Sequence, residues 1–159
     1  MSRARRPWLF PLTLLVAILL GLLPLPAAIA PFRPFWLALV LAYWVLEDHE
    51  RVGLVTAFVL GLFADLAFGS LLGEQALRLS VMTFILQRFR PQLRFFPPAQ
   101  QALAIGGLLL NDLVIATATH LVLGEPLRGL AYWWTPVIGA VIWPPLFVLL
   151  DALRVGRRR

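Results

Sequence analysis

Six apolar segments, separated by short polar or Pro- and Gly-containing turns, make up most of this chain. A helix needs about 20 apolar residues to cross the hydrocarbon core of a bilayer, and fewer where the bilayer thins. The pattern predicts an all-α integral membrane protein with about six transmembrane helices, some of them short or kinked by Pro. The predicted segments are residues 8–25, 34–46, 52–69, 74–88, 101–123 and 130–152.

The second segment, residues 34–46, is too short to span a bilayer upright. We expect it to be tilted, partly interfacial or preceded by a re-entrant piece. The turns between segments are short, so consecutive helices should pack as antiparallel neighbours. Residues 1–159 are predicted to form a single polytopic membrane domain.

Composition supports the membrane interpretation. Hydrophobic residues make up 60% of the 159 residues and charged residues 14%, whereas soluble domains carry about a quarter charged residues. A soluble chain of this length could not bury so much apolar surface. The chain has no Cys, which excludes disulfides, thiolate metal sites and Cys nucleophiles.

The distribution of arginine predicts the orientation. Cytoplasmic loops carry an excess of Lys and Arg, and placing both termini in the cytoplasm leaves only Arg33 and Arg128 in outer loops, with Arg78 inside the fourth segment. The predicted cytoplasmic set is Arg3, Arg5, Arg6, Arg51, Arg88, Arg90, Arg94, Arg154, Arg157, Arg158 and Arg159. These arginines flank apolar runs, so membrane lipid is the expected contact and nucleic acid is not.

Asp65 is the most informative polar residue within a predicted span. It belongs to a row of residues spaced by four along the third segment, and the others in this row are small. The row is Gly53, Ala57, Gly61, Asp65 and Gly69. Small residues let helices approach closely in lipid, so Asp65 should point into a packed helix interface rather than into lipid.

Arg78 is the predicted partner of Asp65. The two residues are equidistant from the centre of the turn between the third and fourth segments, so they should lie at similar depth on antiparallel helices. An unpaired buried charge costs several kcal/mol, which favours an Asp65–Arg78 ion pair. Two alternatives stay open: Arg78 could pair with Glu74, one helical turn earlier, or extend towards the interface.

Asn111 and Asp112 lie in the middle of the fifth segment. They could belong to a substrate site, an ion site or a proton relay, but an interhelical hydrogen bond is the favoured interpretation. His120 is expected to be an interface residue, because the other histidine, His49, lies in a loop on the opposite side. No metal, cofactor or catalytic site is predicted.

The sixth segment carries Pro136 and the run Trp143-Pro144-Pro145. An interior Pro removes a backbone hydrogen bond and kinks a helix. The kink is either static or a docking notch for the helix of another protein.

Several motifs resemble those of the rod shape-determining protein MreD family, in its proteobacterial form. The most specific is residues 61–73, GLFADLAFGSLLG, which contains Gly61, Asp65, Gly69 and Gly73 and is followed by Ala76-Leu77. Further similarity lies at residues 43–44, 51–53, 93–97, 100–103 and 143–146. The motifs occur in the family's order along most of the chain.

The resemblance implies a non-enzymatic subunit of the bacterial elongation complex, located in the inner membrane. Such a subunit would bind the single-span scaffold MreC and, indirectly, MreB, RodA and the partner transpeptidase of RodA. It would thereby organise lateral peptidoglycan synthesis and cell shape; a homo-oligomer is left open. The groove for the membrane helix of MreC is expected on the small face of the third helix or on the kinked sixth.

The family is also distantly similar to the substrate-binding membrane subunits of energy-coupling-factor vitamin transporters. This similarity supplies an alternative function, a small-molecule-binding subunit with an outward-facing cavity between its helices. Asp65, Arg78, Asn111 and His120 could line that cavity.

Overall fold

The computed structural model describes residues 6–156, which contain helices and no strands. The α-helices are α1 (Leu9–Leu22), α2 (Trp36–Glu47), α3 (Leu54–Phe68), α4 (Glu74–Leu93), α5 (Pro98–Leu123) and α6 (Thr135–Val155). Short 3-10 helices, Ala30–Phe32 and Leu130–Trp134, precede α2 and α6. Arg3, Arg5, Arg157, Arg158 and Arg159, which entered the orientation prediction, lie outside the described residues.

The predicted number and order of helices are confirmed, but some ends differ. The α4 helix continues past the predicted residue 88 to Leu93, with Pro91 inside it. The α6 helix begins at Thr135, so Pro136 lies in its first turn. A Pro there is tolerated because its missing N–H would have no helical partner. The predicted kink at Pro136 is therefore wrong, whereas Pro144 and Pro145 do lie inside the helix.

The short α2 helix forms the centre of the bundle. Every residue from Leu37 to Leu46 is buried, and α1, α4, α5 and α6 all pack against this helix. A helix that is hydrophobic on all sides is stable only when surrounded. Its 12 residues, about 18 Å at 1.5 Å per residue, are enclosed by longer helices. That the segment is tilted or partly interfacial in the bilayer stays a prediction.

Both described ends of the chain lie at the same end of the bundle. Arg154 near the end of α6 forms an ion pair with Glu47 at the end of α2, with 2.6 Å between Nη2 and Oε2. Arg90 on α4 donates from Nε to the Leu46 carbonyl at 2.9 Å. A Cβ added to Gly156 would lie 3.5 Å from Nη2 of Arg6. We call this the basic end.

The opposite end of the bundle, called here the turn end, contains Arg33, the α3–α4 turn at residues 69–73 and Arg128. The six helices run alternately between the two ends, and α3 with α4 and α5 with α6 are the most closely packed pairs. Two described segments are long and apolar enough to cross a membrane, Pro98–Leu123 and Leu130–Val155. Large apolar side chains are exposed on the outer faces of the bundle, including Leu103 at 80% and Val122 at 86%, as a lipid-facing surface requires.

Candidate functional site

The small face of α3 is packed against α4 of the same chain. Ala57 and Ala64 are fully buried, and a Cβ on Gly61 would lie 2.2 Å from the Cα of Ala76. The backbones of the two helices therefore approach closely enough to exclude any side chain at Gly61. This face is not free to hold a second protein, so the prediction of an MreC groove on it is wrong.

Two glycines with positive φ shape the turn that follows. Gly69 ends α3 with φ +65°, and Gly73 precedes α4 with φ +100°. L-residues with side chains rarely adopt these conformations. Gly69 and Gly73 therefore allow a five-residue connection, residues 69–73, between two tightly packed antiparallel helices.

Asp65 caps the N-terminus of α4 from the neighbouring helix. Its carboxylate accepts hydrogen bonds from the Ser70 hydroxyl at 2.7 Å and from the backbone N–H groups of Gly73 and Gln75 at 2.8 Å each. The first N–H groups of a helix lack intrahelical partners, and Gly73 has no side chain with which to satisfy them. A carboxylate at this position also interacts favourably with the helix dipole.

The predicted Asp65–Arg78 ion pair is wrong, although the prediction that Asp65 points into a packed interface is confirmed by its exposure of 1%. Backbone amides at the helix start, rather than a guanidinium, satisfy this carboxylate. The depth argument is also wrong: Gly61 packs level with Ala76, so Asp65 lies at the start of α4 while Arg78 lies further along that helix.

Arg78 pairs with Asp112 on α5. Its Nε donates to Oδ1 at 2.9 Å, and its Nη2 donates to Oδ2. Both side chains are about 6% exposed. Glu74 lies 3.5 Å from Nη1, as one of the two alternatives foresaw, and the ring of Phe35 lies under the guanidinium with its centroid 5.0 Å away. Arg78 thus connects α4, α5 and the segment before α2.

Asn111 and Asp112, the two polar residues in the middle of α5, have different surroundings. Asp112 makes the interhelical contact that was the favoured interpretation, whereas Asn111 is partly buried and forms no side-chain hydrogen bond with another described residue. His120, nearer the turn end, places Nδ1 3.2 Å from Glu125 and Nε2 3.9 Å from Glu74. These distances fit the predicted interface residue.

Trp143 of α6 is fully buried and donates from Nε1 to Oε1 of Gln101 at 3.2 Å. The Gln101 amide nitrogen in turn donates to the carbonyls of Leu93 at 3.0 Å and Phe96 at 3.2 Å. From the sequence, Gln101 has no role of its own beyond its place in the motif at residues 100–103, where nothing distinguishes it from Gln100. Trp143 points inward, so any notch at Trp143-Pro144 is formed by the prolines alone.

A cavity of about 510 Å³ lies at the turn end between the helices. Of the four residues expected to line such a cavity, Arg78 does so, while Asp65, Asn111 and His120 are not among its lining residues. Arg33, Arg128 and Asp112 line it as well. We call it the arginine-lined cavity.

Comparisons with known proteins give one consistent result. The family model described as rod shape-determining protein MreD matches residues 2–153. The chain is 34% identical over 143 residues to a protein of Haemophilus influenzae named "Rod shape-determining protein MreD", covering 87% of this chain and 86% of that one. No solved structure gives a significant match, so the expected likeness to energy-coupling-factor subunits has no support.

The motif at residues 61–73 now has a physical explanation at each of its four positions. Gly61 allows the close contact of α3 with α4, Asp65 caps α4, and Gly69 and Gly73 form the turn. The conformation of this motif and the match over nearly the whole sequence lead to one conclusion: the chain belongs to the rod shape-determining protein MreD family, a family of membrane proteins.

Proposed function

We propose that this chain is a non-enzymatic, multi-pass subunit of the bacterial elongation complex in the inner membrane, with both termini in the cytoplasm. It binds the scaffold MreC and so helps to organise lateral peptidoglycan synthesis by RodA and its partner transpeptidase, in concert with MreB. The observation that carries this proposal is membership of the MreD family over residues 2–153.

The polar contacts of the turn end support a scaffolding role. The Asp65 carboxylate accepts hydrogen bonds from the start of α4, and Arg78 and Asp112 are hydrogen-bonded to each other. Polar groups used in this way fix helix positions, because breaking either contact leaves a buried group without its partner. The arrangement suits a rigid platform that presents an outer surface to other membrane proteins.

The outer face of α6 is the surface we assign to MreC. Val137, Val141 and Val148 are exposed along it, Val141 at 70%. Pro144 and Pro145 have no N–H, so the Val141 carbonyl lacks a helical donor at both the third and the fourth following residue. In lipid an unpaired carbonyl needs a partner from a neighbouring helix, which favours a docked helix at this point.

The proposal is tested by depletion and purification. Loss of the protein should turn rods into rounded cells, and the intact chain should restore the rod shape. Affinity purification of the chain from mild detergent should recover MreC in fixed proportion. Rod-shaped cells after complete depletion, or purification without MreC, would contradict the proposal.

A further inference from the structure

The arginine-lined cavity carries an excess of positive charge. Three arginines and one carboxylate line it: Arg33, Arg78, Arg128 and Asp112. Asp112 accepts two hydrogen bonds from Arg78, and Glu74 lies 3.5 Å from Nη1 of the same guanidinium, so the charges of these three groups offset one another. The other two guanidinium groups therefore set the charge of the remaining space.

Neither Arg33 nor Arg128 has a carboxylate of any described residue within ion-pair distance. Arg33 donates from Nη1 and Nη2 to the carbonyls of Gly21 and Leu23, which leaves its buried Nε without a partner among the described residues. Arg128 lies over the ring of Tyr132, 5.7 Å from its centroid. Two guanidinium groups that line one cavity without a carboxylate at ion-pair distance favour an anionic occupant.

The other residues that line the cavity indicate which further groups the occupant carries. Leu22, Leu37, Phe68 and Leu113 contribute apolar surface, which can accommodate the start of a hydrocarbon chain. Gln75 is 7% exposed, and its Oε1 is buried without a donor from any described residue. A ligand hydroxyl would supply that donor. The volume of about 510 Å³ falls within the range of small-molecule sites.

We propose that the arginine-lined cavity binds a phosphate-bearing anion. The paired N–H donors of a guanidinium group match two phosphate oxygens in geometry, and its positive charge complements theirs. The apolar walls and the unpartnered Gln75 favour an anionic lipid with a hydroxyl-bearing headgroup over free phosphate. This inference does not depend on MreC binding, since the cavity is lined by residues within the bundle whereas the assigned docking face is the outside of α6.

Native mass spectrometry of the full chain tests the proposal. Detergent-purified protein is offered phosphatidylglycerol and phosphatidylcholine in equal amounts and, separately, inorganic phosphate. Arg128→Gln is the main variant, because Arg128 is exposed and makes only the ring contact. Arg33→Gln is the second variant. Arg88→Gln is the matched control, an exposed arginine on α4 towards the basic end.

We expect retention of phosphatidylglycerol over phosphatidylcholine, and about tenfold weaker binding in Arg128→Gln, as loss of one charge-assisted hydrogen bond predicts. Arg88→Gln should bind like the wild type. A phosphate adduct that Arg128→Gln abolishes, without lipid preference, would support the anion site and identify the free ion as its source. Equal binding of both lipids with no phosphate adduct, equal losses in Arg88→Gln, or binding that neither cavity variant changes would overturn the proposal.

Discussion

Arg78 on α4 and Asp112 on α5 form a two-pronged ion pair in the interior of the bundle, although 33 residues separate them along the chain. The pair joins two helices whose mutual contact is less extensive than that of α4 with α3 or of α5 with α6. It therefore connects the two halves of the bundle.

Removing one partner of this pair should be more damaging than removing both. Arg78→Leu or Asp112→Leu leaves a buried charge alone and should cost about 3–5 kcal/mol, whereas the double Leu variant should recover part of that loss. Unfolding in mixed detergent micelles measures the difference, with Arg88→Leu as an exposed control. A double variant as unstable as the sum of the two single variants would contradict the pairing.

The stability of the protein should depend on both acceptor oxygens of Asp65 as well as on the size of its side chain. Asp65→Asn replaces one acceptor by a donor that faces backbone N–H groups, so we expect a loss of about 1–3 kcal/mol. Ser70→Ala should cost about 1 kcal/mol in the wild type and less in the Asp65→Asn background. Glu50→Gln, at an exposed carboxylate in the α2–α3 loop, is the control. Stability unchanged in Asp65→Asn would rule out the capping role.

Gly61 and Gly107 provide a matched pair of helical glycines. A methyl group on Gly61 meets the Ala76 backbone, whereas one on Gly107 meets nothing within 4 Å. Gly61→Ala should destabilise the protein by about 1–3 kcal/mol or more, and Gly107→Ala should be neutral or slightly stabilising. Gly139→Ala, which meets the side chains of Leu109 and Leu39 rather than a backbone, should fall between them. The amount of folded protein in membranes and its unfolding midpoint check this order.

The up-and-down course of the helices predicts the result of topology mapping. Reporters fused to the two chain ends should report the same compartment, the cytoplasm, because Arg6 and Gly156 lie at one end of the bundle and arginine is concentrated there. A reporter inserted in the α3–α4 turn at residues 69–73 should report the periplasm. Chain ends in opposite compartments would refute the proposed architecture.

Hydrophobic pattern predicted all six helices, because the lipid-facing and buried surfaces of this chain are both apolar and leave long uninterrupted runs. The same apolar character prevented the sequence from predicting that α2 lies at the centre of the bundle. A helix that is apolar on all faces is equally compatible with lipid and with burial among neighbouring helices. Only the assembled bundle shows that its burial compensates for its short length.

Side-chain partners were harder to predict than helices. The spacing of Gly61, Asp65 and Gly69 correctly indicated a packed face, since close approach depends only on positions along one helix. The contact of Arg78 with Asp112 depends on how α4 and α5 are rotated about their axes, and the polar pattern of either helix alone does not determine that rotation. The capping role of Asp65 could have been suspected from Gly73, which precedes α4 at the capping position and has no side chain to cap it.

Photo-crosslinking from the outer face of α6 tests the proposed binding of MreC most directly. A photo-reactive amino acid is placed in living cells at Val141, exposed at 70%, or at Phe84 on α4, exposed at 60%. Irradiation should join MreC to the protein from position 141 and leave position 84 without that product. A crosslink to MreC from position 84 but none from position 141 would contradict the docking face, and none from any exposed position of the bundle would contradict the scaffold function itself.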